Sequence, residues 1–296
     1  MKSVFWFAVL GLLVNSTVWG LSWMPFRSLA QDGVHPLWAT AIIYALGTVA
    51  VTVTRPRALR EFAQVPALLL LAFAAGLTNA LFNSAVAIGD VVRVVLLFYL
   101  MPVWTVLLAR WLLDERFTTR ALARVALGVG GAMMVLYDPV IGLPLPGWSG
   151  SGLADWMAIA GGMAFALNNV TLRRLSASSE SARTIAMLAG GVVLAGATGA
   201  LLAVPGFIAW PTFSAPGTLS TLALWSVLFL LANMGLQYGA ARLPANITAV
   251  VMLSEVLVAT GSSWWAGAAE LRMQDLIGGI MIIAAPFLFA DRRARA

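Results

Sequence analysis

Apolar stretches long enough to cross a lipid bilayer recur along this chain and leave little room for anything else. Of its 296 residues, 61% are hydrophobic and 10% are charged. A helix needs roughly 20 apolar residues to cross the hydrocarbon core, and these stretches lack the alternation of a membrane β-strand. The sequence therefore predicts an all-α integral membrane protein with ten transmembrane helices, at residues 4–24, 36–54, 65–86, 91–112, 121–137, 154–173, 184–204, 218–239, 245–266 and 273–290.

The last five predicted helices echo the first five. The third contains Asn79 and Asn83 one helical turn apart, and Asn233 and Gln237 occupy the equivalent places 154 residues later. A repeat of five crossings enters the membrane from the side opposite the first copy, which is a common design of transporters with a site near the midplane. We expect two inverted five-helix repeats around a central cavity, residues 1–138 and 154–296, joined by a loop at 139–153. The four amides should face one another across the pseudo-two-fold axis.

The basic residues are distributed unevenly between the two predicted sides. Of the 18 lysines and arginines, fifteen fall on the side of the termini and only Arg27, Arg93 and Arg272 on the other. Cytoplasmic loops carry such an excess, so both termini are predicted to be cytoplasmic, in a bacterial inner membrane. This topology accounts for the net charge of +6 without a nucleic-acid partner.

Several phrases at helix ends carry a resemblance to a known family. A Trp-Gly phrase at Trp19 continues to Pro25, the segment from Pro102 ends in Glu115-Arg116, and two glycines follow in the next helix. Their order along nearly the whole chain resembles the EamA-type members of the drug/metabolite transporter superfamily, and looks most like bacterial aromatic amino-acid exporters. The resemblance implies ten spans, alternating access and outward transport. The second half departs from the pattern at Val256, which stands where the pattern has proline.

Glu255 is the only acidic residue predicted to lie deep within a span. A carboxylate there costs at least about 2.5 to 3.5 kcal/mol, so it should face the protein interior or water, or be protonated. It is the candidate residue for coupling to protons or for binding a substrate amine. The alternative is a neutral carboxyl group that is hydrogen-bonded at a helix contact.

Amides and deep aromatic residues are the candidates for substrate binding, because hydrocarbon cannot satisfy an amide and a deep ring gains nothing from the headgroups. For single amides the alternative is interhelical bonding, worth about 0.6 kcal/mol on average, and for the rings it is packing. Pro102 should kink the fourth span, either as a gate hinge or as a static bend. The substrate-binding candidates are Trp19, Asn79, Asn83, Tyr99, Trp104, Asn168, Asn169, Asn233, Gln237 and Tyr238.

Other residues have simpler interpretations. Trp38 and Trp210 lie near predicted span ends, where tryptophan belongs to the interfacial belt. Glycine pairs, among them Gly190 with Gly191, predict close helix packing. His35 is expected to be a solvated loop residue.

The inventory of reactive side chains excludes several classes of function. With no cysteine, one histidine and one deep carboxylate, the chain lacks the parts of an enzyme, and we expect no catalytic residue, metal or cofactor. No carbonyl filter or charge ring indicates a channel. Without a lysine or arginine near a span centre, a small zwitterionic amino acid fits better than an anion, and a lipophilic cation or neutral metabolite is the alternative. The expected partners are this substrate, membrane lipid and, if coupled, protons. We expect a monomer.

Overall fold

The computed structural model describes residues 2–88, 91–116, 118–137, 152–267 and 272–285. Within these residues the chain forms α-helices and no strand. Most of the predicted loop at 139–153 and the end of the tenth predicted span, at 286–290, lie outside them. The helices are α1 (Lys2–Leu21), α2 (Trp23–Gln31), α3 (Pro36–Thr54), α4 (Pro56–Gln64), α5 (Pro66–Ile88), α6 (Val91–Phe98), α7 (Met101–Leu112), α8 (Thr119–Leu136), α9 (Gly152–Arg174), α10 (Glu180–Ala203), α11 (Thr218–Arg242), α12 (Ala245–Met252), α13 (Ser254–Trp265) and α14 (Met273–Ala284).

Six stretches of the described residues are long and apolar enough to cross a membrane. Two of them combine consecutive helices, α1 with α2 and α12 with α13. The integral membrane class is therefore supported, whereas ten crossings and the inverted arrangement stay predictions, because the remaining predicted spans fall on the shorter or less apolar helices α6 to α9 and α14. The six stretches are Val4–Gln31, Pro36–Thr54, Pro66–Ala85, Glu180–Ala203, Thr218–Arg242 and Ala245–Trp265.

The fourth predicted span is interrupted between α6 and α7, immediately before Pro102. Because proline has no N–H, the carbonyl of Phe98 loses its usual donor, and the chain makes a tighter turn in which the Leu100 N–H donates to Leu97 O at 3.3 Å. This is the interruption that Pro102 predicts; whether it acts as a hinge stays a prediction.

The ninth predicted span is interrupted in the same way without a proline. Leu253 donates to Val250 O at 3.2 Å, and Val256 donates to Leu253 O at 3.1 Å, which is the three-residue pattern of a 3₁₀ turn. Leu253 follows Tyr99 by 154 residues, the same offset that relates the two amide pairs. The two interruptions therefore occupy equivalent places in the two predicted repeats.

Two features near the helix ends differ from the sequence prediction. The first span does not end near residue 24 but continues as α2 to Gln31 after a turn at Ser22, whose hydroxyl donates to Trp19 O at 2.6 Å. The segment between the second and third spans, expected to be a loop, forms α4. This short helix buries Ala58 and packs Phe62 against the core.

Glycines allow the helices of the two halves to cross at backbone distance. A Cβ atom at Gly11 of α1 would lie 2.8 Å from the carbonyl oxygen of Gly235 of α11. At Gly190 of α10 it would collide with the carbonyl oxygen of Ala72 of α5. The close packing expected at the pair of Gly190 and Gly191 is present at Gly190, and the crossing of Gly11 with Gly235 adds a close contact that was not predicted.

Candidate functional site

Tyr44 on α3 connects the two polar patches that the sequence repeat predicts. Its hydroxyl lies 3.4 Å from Oδ1 of Asn79 on α5 and is also hydrogen-bonded to the side chain of Asn233 on α11. Each amide donates to a carbonyl one turn earlier in its own helix, Asn79 to Ala75 and Asn233 to Phe229, both at 2.8 Å. The patches are thus joined through a tyrosine.

The second amide of each pair also has a protein partner. Asn83 Nδ2 donates to Thr40 Oγ1 on α3 at 2.8 Å, and Gln237 Oε1 accepts from Arg183 Nε on α10 at 3.0 Å. All four amide residues are at most 6% exposed. Their geometry is that of side chains that hold α3, α5, α10 and α11 together.

Arg183, predicted to lie at the cytoplasmic face, is 1% exposed. Besides its bond to Gln237, its guanidinium donates to the carbonyls of Leu175, Ser176 and Ser178 at 2.8, 3.1 and 2.5 Å. This buried cation is therefore committed to the backbone that precedes α10. No local sequence signal distinguishes it from the surface arginines.

Tyr99 and Glu255 form a pair where the two interrupted spans approach each other. Tyr99, 4% exposed, lies in the turn between α6 and α7, and its hydroxyl is hydrogen-bonded to the carboxyl group of Glu255 in the first turn of α13. Glu255 itself is only half-buried. The structure thus brings together a substrate-binding candidate and the coupling candidate, one from each predicted repeat.

Gly20, in the Trp-Gly phrase, explains how α1 approaches this pair. A Cβ atom at Gly20 would lie 2.8 Å from the carbonyl oxygen of Glu255 and 2.7 Å from Cβ of Val258. Only glycine lets α1 pack this closely against the first turn of α13. The half-buried indole of Trp19 precedes it and meets the ring of Phe229 edge-on at 4.8 Å between centroids.

Aromatic side chains surround the interruption of the fourth span. The ring of Phe98 lies 6.0 Å from Tyr99 and 5.8 Å from Phe165 on α9. Trp104, half-buried two residues beyond Pro102, has no hydrogen-bond partner for its indole N–H among the described residues. This unpaired donor is available to a ligand or to water.

The remaining substrate-binding candidates have other surroundings. Asn168 and Asn169 on α9 are at most 1% exposed, and their amide groups have no partner among the described residues. Tyr238 lies near the end of α11, where the guanidinium of Arg242 sits 3.6 Å from the centre of its ring. Arg242 also pairs with Glu180 at 2.6 Å, so Tyr238 belongs to an ionic cluster at this helix end.

Two other acidic residues are more deeply buried than Glu255. Asp155 and Asp275, 2% and 6% exposed, lie in the first turns of α9 and α14. Asp275 accepts a 2.7 Å hydrogen bond from the backbone N–H of Arg272, where the positive end of the helix dipole favours a carboxylate. Among the described residues the buried acids are therefore these two rather than Glu255, and their positions at helix starts are the sequence signal for them.

One end of the molecule is held by a strap between the segments that follow α2 and α10. The Thr212 hydroxyl donates to Asp32 O at 3.2 Å, and the Thr218 hydroxyl donates to Asp32 Oδ2 at 3.3 Å. Trp38 donates to Ala209 O at 3.1 Å and stacks on Trp210 at 5.2 Å. These two tryptophans, expected in the interfacial belt, therefore contact each other.

The opposite end is joined by different contacts between the halves. Glu115, after α7, accepts a hydrogen bond from the backbone N–H of Ala245, the first residue of α12. Burial raises the pKa of this carboxyl group, although Ala245 and the nearby charge of Arg173 favour its ionised form. Glu61 of α4 accepts from the Ser179 N–H at 2.8 Å. Each contact joins segments that the charge distribution places on one side of the membrane.

His35, expected to be solvated, has a structural role. Its Nδ1 accepts a hydrogen bond from the Leu37 N–H at 3.2 Å and so caps α3. Partial burial lowers the pKa of this imidazole. No group of three His, Cys, Asp or Glu side chains suited to a metal ion occurs among the described residues.

The membrane-length helices and their internal polar side chains define an integral membrane protein. Residues 6–137 match the model of the EamA-like transporter family, which supports a membrane transporter of the drug/metabolite transporter superfamily. A solved structure described only as "Crystal structure of protein" is similar over 98% of this chain and 99% of its own, with a TM-score of 0.79 and 16% identity. That likeness concerns the fold alone. No curated protein matches the sequence.

Proposed function

We propose that this protein is a carrier that exports amino acids, with a preference for aromatic or other large apolar ones, across a bacterial inner membrane by alternating access. The observation that carries the proposal is the Tyr99–Glu255 pair, which joins the interruptions of two spans from different predicted halves. Interrupted helices at a repeat interface are where transporters of this design bind substrate. The match of residues 6–137 to a transporter family supports the same interpretation.

The chemistry around the pair suits a zwitterion with an apolar side chain. The Glu255 carboxylate can accept hydrogen bonds from a substrate ammonium group, and the unpaired indole N–H of Trp104 can donate to a substrate carboxylate. Trp19 provides a ring for the side chain. Arg183 is committed to carbonyls and Gln237, so it gives no counter-charge for a phosphorylated substrate.

The substrate site is assigned to Trp19, Tyr99, Trp104 and Glu255 rather than to the amides of α5 and α11. An amide whose donor and acceptor already have protein partners must break one of these bonds to hold a ligand, which costs about 1 to 3 kcal/mol for a buried group. Asn79 and Asn233 are engaged in this way, since each donates to a carbonyl and is bonded to Tyr44. Asn83 and Gln237 each have one such bond, to Thr40 and to Arg183. We therefore assign them to helix packing.

Protonation of Glu255 offers a route to coupling. The titratable group in contact with it is Tyr99. Of the helices packed against α13, α1 carries only Lys2 at its far end, α12 carries no titratable residue, and α14 carries Asp275, which is bonded to Arg272. Gain of a proton at Glu255 would leave its hydrogen bond with Tyr99 without a charged acceptor and weaken the contact between halves.

A second candidate function has support from the same residues. A lipophilic cation would use the Glu255 carboxylate as counter-charge and the indole faces of Trp19 and Trp104 as cation–π partners. The two functions differ in whether a substrate carboxylate is needed. The amino-acid proposal requires one and the cation proposal does not.

Counterflow in proteoliposomes tests the proposal. Labelled phenylalanine should exchange, with competition by large apolar amino acids. Competition by a quaternary amine alone, with no effect of any amino acid, would contradict the amino-acid proposal and favour transport of lipophilic cations. Because one charge-assisted hydrogen bond is worth about 1.5 to 3 kcal/mol, Glu255→Gln should lower exchange at least about ten-fold and flatten its pH dependence.

Two further variants act as controls. Tyr99→Phe removes only the hydroxyl group, and its effect should not add to that of Glu255→Gln, because the two side chains form one contact. Glu180→Gln removes a carboxylate from an ion pair at the beginning of α10 and should leave exchange intact. Unchanged exchange in Glu255→Gln at every pH would remove this residue from the site.

A further inference from the structure

A pocket at the membrane surface lies between the beginnings of α4 and α10, away from the Tyr99–Glu255 pair. It has a volume of about 400 Å³. Residues of both predicted halves line it, so a bound ligand would contact both. The lining residues are Thr54, Arg55, Pro56, Arg57, Ala58, Glu61, Ser179 and Ser181.

The arginines of this pocket are unpaired within the described part of the chain. The side chains of Arg55 and Arg57 make no hydrogen bond or ion pair there. Other arginines have acidic partners, such as Arg242 with Glu180 at 2.6 Å. Two guanidinium groups without partners, on residues that line one concave surface, suit a phosphate group, which arginine binds with paired hydrogen bonds.

The one acidic residue of the pocket does not neutralise these arginines. Glu61 Oε1 accepts the Ser179 N–H at 2.8 Å and caps α10 together with the Ser179 hydroxyl, which accepts from the Ala182 N–H at 3.2 Å. Glu61 is therefore directed at α10. Ser181 also lines this pocket, and its side chain carries a hydroxyl that can donate a hydrogen bond.

The position of α4 identifies the source of the phosphate. This helix connects two membrane-length helices, Pro36–Thr54 and Pro66–Ala85, so it lies at the bilayer surface. It buries Ala58 towards the protein and leaves Leu59 44% exposed, as in an interfacial helix. Basic pockets at this depth, on the cytoplasmic side, are placed to bind lipid headgroups.

We propose that this pocket binds the phosphodiester of an anionic phospholipid headgroup. Arg55 and Arg57 bind the phosphate oxygens, and the Ser181 hydroxyl donates to the same group. Because Glu61 and Ser179 link α4 to α10 at the same place, the bound headgroup adds to the contact between the halves. The assignment is independent of the transported substrate.

Lipid binding to the whole protein, counted by native mass spectrometry in detergent, tests this site. Phosphatidylglycerol should bind more tightly than phosphatidylcholine of the same acyl chains. Arg57→Gln should weaken phosphatidylglycerol binding about five-fold, the value of one basic residue near a membrane surface. Arg60→Gln is the matched control, since Arg60 is an arginine of the same helix that does not line the pocket, and it should change binding less than two-fold.

A second variant is expected to change phosphatidylglycerol binding in the opposite direction. Glu61→Gln keeps an oxygen for the Ser179 N–H but removes a negative charge, so phosphatidylglycerol should bind more tightly. Equal losses in Arg57→Gln and Arg60→Gln would overturn the proposal in favour of diffuse attraction to the membrane. Competition by inorganic phosphate at equal concentration would instead make the pocket a site for free phosphate.

Discussion

Glu115 shows how one side chain can connect the two halves and respond to pH. It lies outside the membrane-spanning stretches and accepts the first N–H of α12. Burial raises the pKa of Glu115 above its ordinary 4.5. Because this pKa is higher in the folded state than in the unfolded chain, the carboxyl group of Glu115 contributes its full stabilisation below about pH 4.5. This contribution is lost as the pH rises through the raised pKa.

We therefore expect that Glu115→Gln abolishes this pH-dependent loss of folding stability. The melting temperature of the wild type, relative to that of Glu115→Gln, should fall as the pH rises from 4 to 7. Thermal unfolding in detergent at four pH values measures the difference. Asp114→Asn is the control for a neighbouring, exposed carboxylate, and a difference between wild type and Glu115→Gln that does not vary with pH would contradict the prediction.

At the same scale, the sequence identified polar residues better than it identified their partners. The spacing of the amides placed Asn79 and Asn233 correctly on equivalent helix faces. Their bonds depend on Tyr44, and the bond of Gln237 depends on Arg183. These partners come from α3 and α10, whose rotation relative to α5 and α11 is set by packing in three dimensions and leaves no local pattern.

At the scale of helices, the packing of α10 against α5 depends on a glycine. The backbone of Ala72 occupies the space that a side chain at Gly190 would need. At Gly196, two turns later on α10, the nearest atom to an added Cβ is Ala41 Cβ at 3.7 Å, an ordinary contact. The two positions differ in their surroundings but not in their helix.

We expect Gly190→Ala to destabilise the protein by roughly 1 to 3 kcal/mol through overpacking. Gly196→Ala should be neutral or stabilising by up to about 1 kcal/mol, because alanine is the better helix former. Melting temperatures in one detergent compare the two. Equal shifts in both variants would show that the α5–α10 crossing is not as close as described.

The interruptions show where helix prediction succeeds and where it stops. Pro102 marks the first in the sequence because proline removes a hydrogen bond. The equivalent turn at Leu253 has no proline or glycine, and it arises from three-residue hydrogen bonds that any apolar sequence can form. Likewise α4 is too short and too charged to be predicted as a span. The sequence thus indicated the helices and the break at Pro102, whereas the turn at Leu253 and the helix α4 depend on packing in three dimensions.

At the scale of the whole molecule, the two ends are held together by different chemistry. The strap at Asp32, Trp38, Thr212 and Thr218 uses threonine hydroxyls that donate to a carbonyl and a carboxylate oxygen, together with stacked indoles. The other end uses the carboxylates of Glu61 and Glu115 on backbone N–H groups. In a carrier that works by alternating access, these two ends must open in turn, so weakening one should favour the state in which that end is open.

Thr212→Val removes one hydroxyl of the strap at nearly constant volume. Since a hydrogen bond contributes about 1 kcal/mol, the open state of that end should become about five-fold more populated. The chain has no cysteine, so Ser22→Cys, at a buried position between α1 and α2, adds a single thiol. A membrane-impermeant maleimide should label it several-fold faster in the Thr212→Val background.

Trp265→Phe, at an indole that is 81% exposed, is the matched control and should leave the labelling rate unchanged. Equal rates with and without Thr212→Val would show that the strap does not restrict access from that end.

The crossing of Gly11 with Gly235 also constrains how this sequence can evolve. Each glycine lies against the carbonyl group of the other, so neither position accepts a methyl group while its partner stays in place. Substitution at one site cannot be compensated by a smaller residue at the other, since none exists. Drift at these two positions should therefore be absent in descendants that keep this crossing, while the lipid-facing residues around them diverge freely.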